Sequence, residues 1–187
     1  MPRLFTGFEI PSDVASELSM LRGGVSGARW VQPDNYHVTL RFLGDIDGAT
    51  ARDFAAALDE VQSEPVDVSI EALGSFGGDR PHTLFAKVKL SRDLADLQNE
   101  HERLARIVGL PPETRKFTPH VTLARMRQAS VHGVAAWLGA RALFRAITFT
   151  AQRFVLYSSR ESTGGGPYLV EAQYPLGWSD EFAHQPA

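Results

Sequence analysis

Two stretches of the chain carry the same tetrapeptide, His37-Val38-Thr39-Leu40 and His120-Val121-Thr122-Leu123. Successive side chains of a β-strand point to opposite faces, so each copy presents its imidazole and hydroxyl on one face and its Val and Leu on the other. Imidazole titrates near neutrality, so one of two such groups in a shared cleft can accept a proton while the other donates one. A hydroxyl beside each can hydrogen-bond a phosphoryl oxygen without adding charge. Together they suit in-line attack of water on a strained cyclic phosphodiester: one imidazole takes the proton from water, the other protonates the leaving ribose oxygen, and the hydroxyls hold the developing charge. No metal or cofactor is required. A single His-x-Thr on a strand is most often an ordinary polar pair; its duplication with identical Val and Leu is what singles it out.

Composition narrows the alternatives. The 187 residues contain no cysteine, which excludes a thiolate nucleophile, a zinc-thiolate site and a disulfide framework. A two-histidine metal site is disfavoured because neither motif contains Asp or Glu and hydrolytic metals usually recruit carboxylates or a third His. At a net charge of -3 there is no broad basic footprint, so any nucleic-acid contact must be local. Phe5, Trp30 and Tyr36 are aromatic candidates for stacking on a base, and Arg80, Arg115 and Lys116 for a basic rim. His82, His101, His132 and His184 lack a following Thr at the second position and read as ordinary histidines, and Gly164-Gly165-Gly166 reads as a flexible connection rather than a phosphate loop. No apolar run reaches membrane-spanning length and the start lacks a signal-peptide core, so the expectation is a cytoplasmic protein with no membrane association, most simply a monomer.

The elements that must position the motifs follow from periodicity and breakers. Strand 3–10 precedes a helix from Val14 to Leu21. A Pro/Asx loop then leads to strand 37–43, which Gly44-Asp45 ends, and an Ala-rich helix follows over 50–62. Strands 66–73 and 83–90 form a hairpin-type pair. A helix capped by Ser91 runs to about Val108, and Phe117-Thr118-Pro119 leads into strand 120–125. A short helix near 131–138 and strands near 144–150, 152–158 and 168–174 complete the chain. The order β-α-β-α-β-β-α-β-α-β-β-β predicts α+β rather than a doubly wound parallel sheet. Each motif strand follows a Pro-containing loop and precedes a helix, as expected of two duplicated lobes.

Asn35-Tyr36-His37-Val38-Thr39-Leu40-Arg41-Phe42-Leu43-Gly44 and Phe117-Thr118-Pro119-His120-Val121-Thr122-Leu123-Ala124-Arg125 resemble the two signatures of the 2H phosphoesterases, specifically the RNA 2′,3′-cyclic phosphodiesterases once called 2′-5′ RNA ligases. The similarity extends to Arg3-Leu4-Phe5, Arg29-Trp30-Val31, Leu156-Tyr157-Ser158-Ser159 and Gly166-Pro167-Tyr168. It implies a single bilobal, pseudo-twofold α+β domain over 1–187, with antiparallel sheets from the two lobes facing a central cleft and helices outside. It also implies hydrolysis of terminal 2′,3′-cyclic phosphates on RNA, or of small cyclic nucleotides, to 2′-phosphomonoesters. By the same resemblance His37 is the proton donor, His120 the acceptor, and Thr39 and Thr122 phosphate ligands.

Arg125 ends the family's second motif and is a further phosphate-binding candidate, yet strict alternation puts it on the opposite face from His120. Only a bulge or a strand end just before it would bring it to the cleft. Alternation puts Arg41 with His37 and Thr39, where it would bind phosphate or hold an acidic neighbour, and puts Phe42 with Val38 and Leu40 on the core face. Within the same enzyme class the alternatives are a 2′-5′ phosphodiesterase or a weak 2′-5′ RNA ligase, which use the same groups. The rival from another class is a noncatalytic module that binds RNA ends or nucleotides.

Overall fold

The computed structural model describes residues 3–159 and 166–177, which excludes Gly164, Gly165 and His184. Its strands are β1 (Arg3–Glu9), β2 (Ala28–Trp30), β3 (His37–Asp45), β4 (Val66–Phe76), β5 (Thr83–Val88), β6 (His120–Met126), β7 (Ile147–Ala151), β8 (Arg153–Ser159) and β9 (Tyr168–Pro175). Its helices are α1 (Ser12–Ser19), α2 (Gly48–Leu58), α3 (Arg92–Ile107) and α4 (Val131–Gly139), with a 3-10 turn at Pro33–Asn35. Three helix starts are set by side-chain caps that satisfy otherwise unpaired amides: Asp47 accepts from Ala49 N and Thr50 N, Ser91 from Leu94 N, and Ser130 from Gly133 N.

The α+β class and the antiparallel pairing are as expected, and the lobes meet edge to edge. Described strands form one nine-stranded sheet in the order β7-β4-β5-β6-β3-β1-β8-β9, with β2 beside β6. The joint between β6 and β3 is the single pair Val38–Val121, the centre of both tetrapeptides. Outward from it the halves match: β3, β1, β8, β9 on one side and β6, β5, β4, β7 on the other. In each half a strand and a helix precede the motif strand. The sequence reading missed β2, whose three residues are too short to show a period. It also started β7 three residues early, at Phe144.

All four helices bury their apolar faces in one cluster, with Leu18 of α1, Phe54 and Leu58 of α2, Leu94 of α3 and Trp137 of α4 packed onto Phe8, Ile70, Leu84, Leu123 and Phe154 of the sheet. The opposite face carries a second, small cluster of Phe5, Val155 and Tyr157.

His101 of α3 is an ordinary core histidine. It is fully buried, its Nδ1 lies 2.7 Å from Thr6 Oγ1, and its ring meets Phe154 edge-on at 4.6 Å. Desolvation lowers its pKa to about 3. The unfolded chain therefore binds a proton that the folded chain excludes, so this contribution to stability is complete above about pH 6.5 and is lost as pH falls toward 3. Between pH 7 and 5 the loss is about 2 kcal/mol. Urea denaturation at the two pH values checks it, and His101→Gln is expected to flatten the slope.

The approach of β1 to β3 constrains the chain at Gly7. A Cβ there would lie 2.5 Å from the carbonyl oxygen of Val38, a backbone atom at the centre of the first motif. Gly7→Ala is expected to destabilise the protein by about 1–3 kcal/mol, as overpacking against an immovable neighbour does. A lowered denaturant midpoint at unchanged m-value is the measurement.

Candidate active site

The Val38–Val121 pair sets the geometry of the site. In an antiparallel ladder the residues flanking that pair lie opposite one another, His37 toward Thr122 and Thr39 toward His120. The two imidazoles thus stand on a diagonal, where neighbours are about 7–8 Å apart in a regular ladder. All four groups are on the face away from the helices, and each of the four side chains is half-buried.

A Pro-containing loop enters each motif strand and turns a carbonyl back onto the histidine two residues later. His37 Nδ1 lies 2.8 Å from Asn35 O, and His120 Nδ1 lies 2.7 Å from Thr118 O. A carbonyl can only accept, so Nδ1 carries the hydrogen in both rings. Each Nε2 is left as the proton-transfer atom: a base when the ring is neutral, an acid when it is charged. Asn35 also accepts from Tyr168 N through its side-chain oxygen at 3.3 Å, tying β9 to the first motif loop.

Aromatic rings surround both imidazoles. His37 packs against Phe5 at 4.9 Å, Tyr168 at 4.9 Å and Tyr157 at 5.6 Å; His120 packs edge-on against Phe76 at 5.0 Å and Phe85 at 5.5 Å. These rings exclude water and disfavour the charged form. Desolvation is the main cause lowering His37 to about 4; the Asn35 carbonyl opposes it, and His120 and Arg125 add to it. His120 is lowered by desolvation and then by Arg125, against the Thr118 carbonyl. Before substrate binds, both rings are neutral at pH 7.

Arg125 is on the cleft side, and a bulge puts it there. Opposite β5, Phe85 pairs with Thr122 but Leu84 pairs with Ala124, so Leu123 is the extra residue of β6. Opposite β1, Gly7 pairs with Thr39 but Thr6 pairs with Arg41, so Leu40 is the extra residue of β3. The fourth residue of each tetrapeptide is thus a bulge that flips the side chains directly after it to the other face. Beyond it, His120-Thr122-Arg125 and His37-Thr39-Phe42 become matching trios.

The same bulge corrects two expectations. Phe42 is on the cleft face and 41% exposed, not in the core. Arg41 turns away from His37 and Thr39 toward α3, where Thr6, its partner across the ladder, also faces. Its guanidinium is committed: Nε lies 2.6 Å from Glu102 Oε2, and the terminal nitrogens donate to Phe42 O and Pro111 O. Arg41 therefore has the acidic neighbour. It lines the cleft from the side of α3 and braces its wall.

Of the expected stacking faces, Phe5 is 3% exposed, enclosed by His37, Tyr157, Tyr168 and Phe42. It backs the imidazole and has no face left for a base. Tyr36 is buried, and Trp30 packs against Trp137 at 5.9 Å. Arg115 is engaged by Glu113 at 3.0 Å, an ion pair that holds the Glu113 carboxyl near 2. Phe42 is the residue that sequence reasoning missed. The signal was present, since Phe42 follows His37 by the same interval as Arg125 follows His120.

The cleft between the lobes has a volume of about 860 Å³ and is lined by Thr39, Phe42, His120, Thr122 and Arg125 with Lys116 at its rim. Among the described residues no three His, Asp or Glu side chains group as metal ligands, and no helix is long and apolar enough to cross a membrane.

A family model described as LigT-like phosphoesterase matches residues 8–85 and again 86–168, each match containing one of the two tetrapeptides. An Aquifex aeolicus protein named RNA 2′,3′-cyclic phosphodiesterase is 30% identical over 94% of this chain and 97% of its own length. An Aeropyrum pernix protein of the same name is 34% identical over 53% of this chain, a match spanning 57% of that relative. The crystal structure of Escherichia coli LigT complexed with 3′-AMP superposes with a TM-score of 0.73 at 20% identity, covering 95% of this chain and all of that one, a likeness of fold.

Proposed function

Because the chain belongs to the LigT-like phosphoesterase family, we propose that it is an RNA 2′,3′-cyclic phosphodiesterase, hydrolysing terminal 2′,3′-cyclic phosphates to 2′-phosphomonoesters. The observation that carries the reading is the pair of imidazoles flanking Val38–Val121, each held by a carbonyl at Nδ1 so that Nε2 is the working atom. His120 Nε2 takes the proton from the attacking water as its oxygen bonds to phosphorus. His37 Nε2–H gives its proton to the ribose O3′ as the phosphorus–O3′ bond breaks. Thr39, Thr122 and the Arg125 guanidinium hold the phosphoryl oxygens.

Donation by His37 requires a proton that its desolvated ring does not hold at pH 7 by itself. The anionic phosphodiester supplies the missing attraction and raises both imidazoles, so substrate binding carries a proton with it. The kcat profile should therefore lie to the alkaline side of the kcat/KM profile.

Phe42, at the end of the cleft opposite Arg125, is the surface for the nucleobase. Phe42→Ala is expected to raise KM for a cyclic nucleotide about tenfold, in line with the loss of one base stack, and Phe42→Trp to restore it. A substrate without a base should be indifferent to both.

The test of the function is incubation with a nucleoside 2′,3′-cyclic phosphate in the presence of a chelator, with the product identified by NMR. A 2′-phosphate is expected. A 3′-phosphate, or no turnover, would overturn the reading.

A further inference from the structure

Beyond Val121 the neighbour of β6 changes. β3 parts from it, and β2 takes its place, pairing Arg29 with Arg125 while Thr83 of β5 pairs with Arg125 from the other side. Directly opposed residues share a face, so Arg29, Arg125 and Thr83 form a row across three strands. Around this row is a second hollow of about 520 Å³, to which Arg127 also contributes. It shares His82, Thr83 and Arg125 with the main cleft, so the two are continuous through Arg125.

The charge of this hollow is unlike that of the chain. The protein has 22 acidic residues against 19 Lys and Arg, yet three guanidiniums line the hollow with no carboxylate among its lining residues. Several arginines among the described residues outside the hollow have acidic partners: Arg41 with Glu102, Arg103 with Glu100, Arg115 with Glu113, and Arg153 with Glu9. Arg125 and Arg127 have none among the described residues. The planar, many-donor guanidinium suits phosphate, and three of them line one hollow.

We propose that the second hollow is a subsite for the phosphate attached to the 5′ oxygen of the reacting nucleotide, so that the protein selects 5′-extended ends over bare nucleosides. The proposal rests on the main cleft holding the cyclic phosphate. Arg125 then stands between two successive phosphates, with Phe42 beyond the first. The chain enters past Arg29 and Arg127 and ends between the histidines, which fixes its polarity.

The test compares kcat/KM for a nucleoside 2′,3′-cyclic phosphate, the same compound with a 5′-phosphate, and a dinucleotide ending in the cyclic phosphate. The dinucleotide should exceed the bare nucleoside about tenfold or more, and Arg29→Gln or Arg127→Gln should remove most of that advantage. Its salt dependence should be steeper by about one phosphate contact and flatten in either variant. An equal gain from a 5′-phosphate alone assigns the subsite to any 5′-phosphate, and a gain limited to the dinucleotide assigns it to the internucleotide linkage. A ratio near one, or a ratio that neither substitution moves, overturns the proposal.

Calorimetry keeps this failure apart from failure of the proposed function. An unreactive 2′-deoxydinucleotide 3′-phosphate should bind more tightly than the 2′-deoxymononucleotide 3′-phosphate, and Arg127→Gln should erase the difference. Equal affinities would sink the subsite even if the bare nucleoside is hydrolysed. A clear difference supports it even if no substrate turns over.

Discussion

His120→Ala is expected to lower kcat/KM for a nucleoside 2′,3′-cyclic phosphate by about 10³-fold or more, and His37→Ala by a similar factor, each at the upper part of the range for one general acid or base. The two substitutions combined should cost little more than either alone. Proton removal from water and proton delivery to O3′ belong to one displacement, and groups that act as a unit are strongly non-additive. Folding is not at stake, because both imidazoles are half-buried on the face away from the main core and their Nδ1 partners are local carbonyls. A circular-dichroism melt alongside single-turnover kinetics separates lost chemistry from lost structure. Losses that multiply in the double variant would sink the paired mechanism.

The second large effect is expected at Arg125. Its guanidinium is exposed, lines the cleft with His120 and Thr122, and lowers both imidazoles. Arg125→Gln should reduce kcat/KM about 10²-fold, as loss of a charge-assisted contact to a phosphoryl oxygen does in a site built to hold developing charge. It should also shift both limbs of the kcat/KM profile to higher pH, since removing a cation lets both histidines hold their protons more readily. A purely structural arginine would not move that profile. An unchanged pH dependence with the same loss of rate would remove Arg125 from the site and assign it to scaffolding. Arg125→Lys keeps the charge without the bidentate fork, so it should keep the profile and recover only part of the rate.

The fold class, the four helices and eight of the nine strands were legible from periodicity and breakers, because each of those elements carries its own apolar stripe or alternation. The pairing of each imidazole with a hydroxyl was equally legible, since strand alternation across His-x-Thr is a local property of two residues. That duplication would bring the copies together was an expectation. It is the Val38–Val121 joint that does so, with the matched strand order on either side.

Which face each later residue takes was decided by tertiary structure. Alternation is local, but a bulge is a mismatch between two ladders, and the partners that create it, β1 for Leu40 and β5 for Leu123, are distant in sequence. One extra residue exchanged the faces of Arg41 and Phe42 and delivered Arg125 to the cleft. The same holds for the electrostatics. Two histidines in a row of letters have ordinary pKa values; rings from β1, β4, β5, β8 and β9 closing around them, with Arg125 beside them, push both toward the neutral form. By itself the sequence determined that two imidazoles and two hydroxyls would share one kind of strand face. Long-range strand pairing decided which arginine and which aromatic stand beside them, and how readily the imidazoles hold a proton.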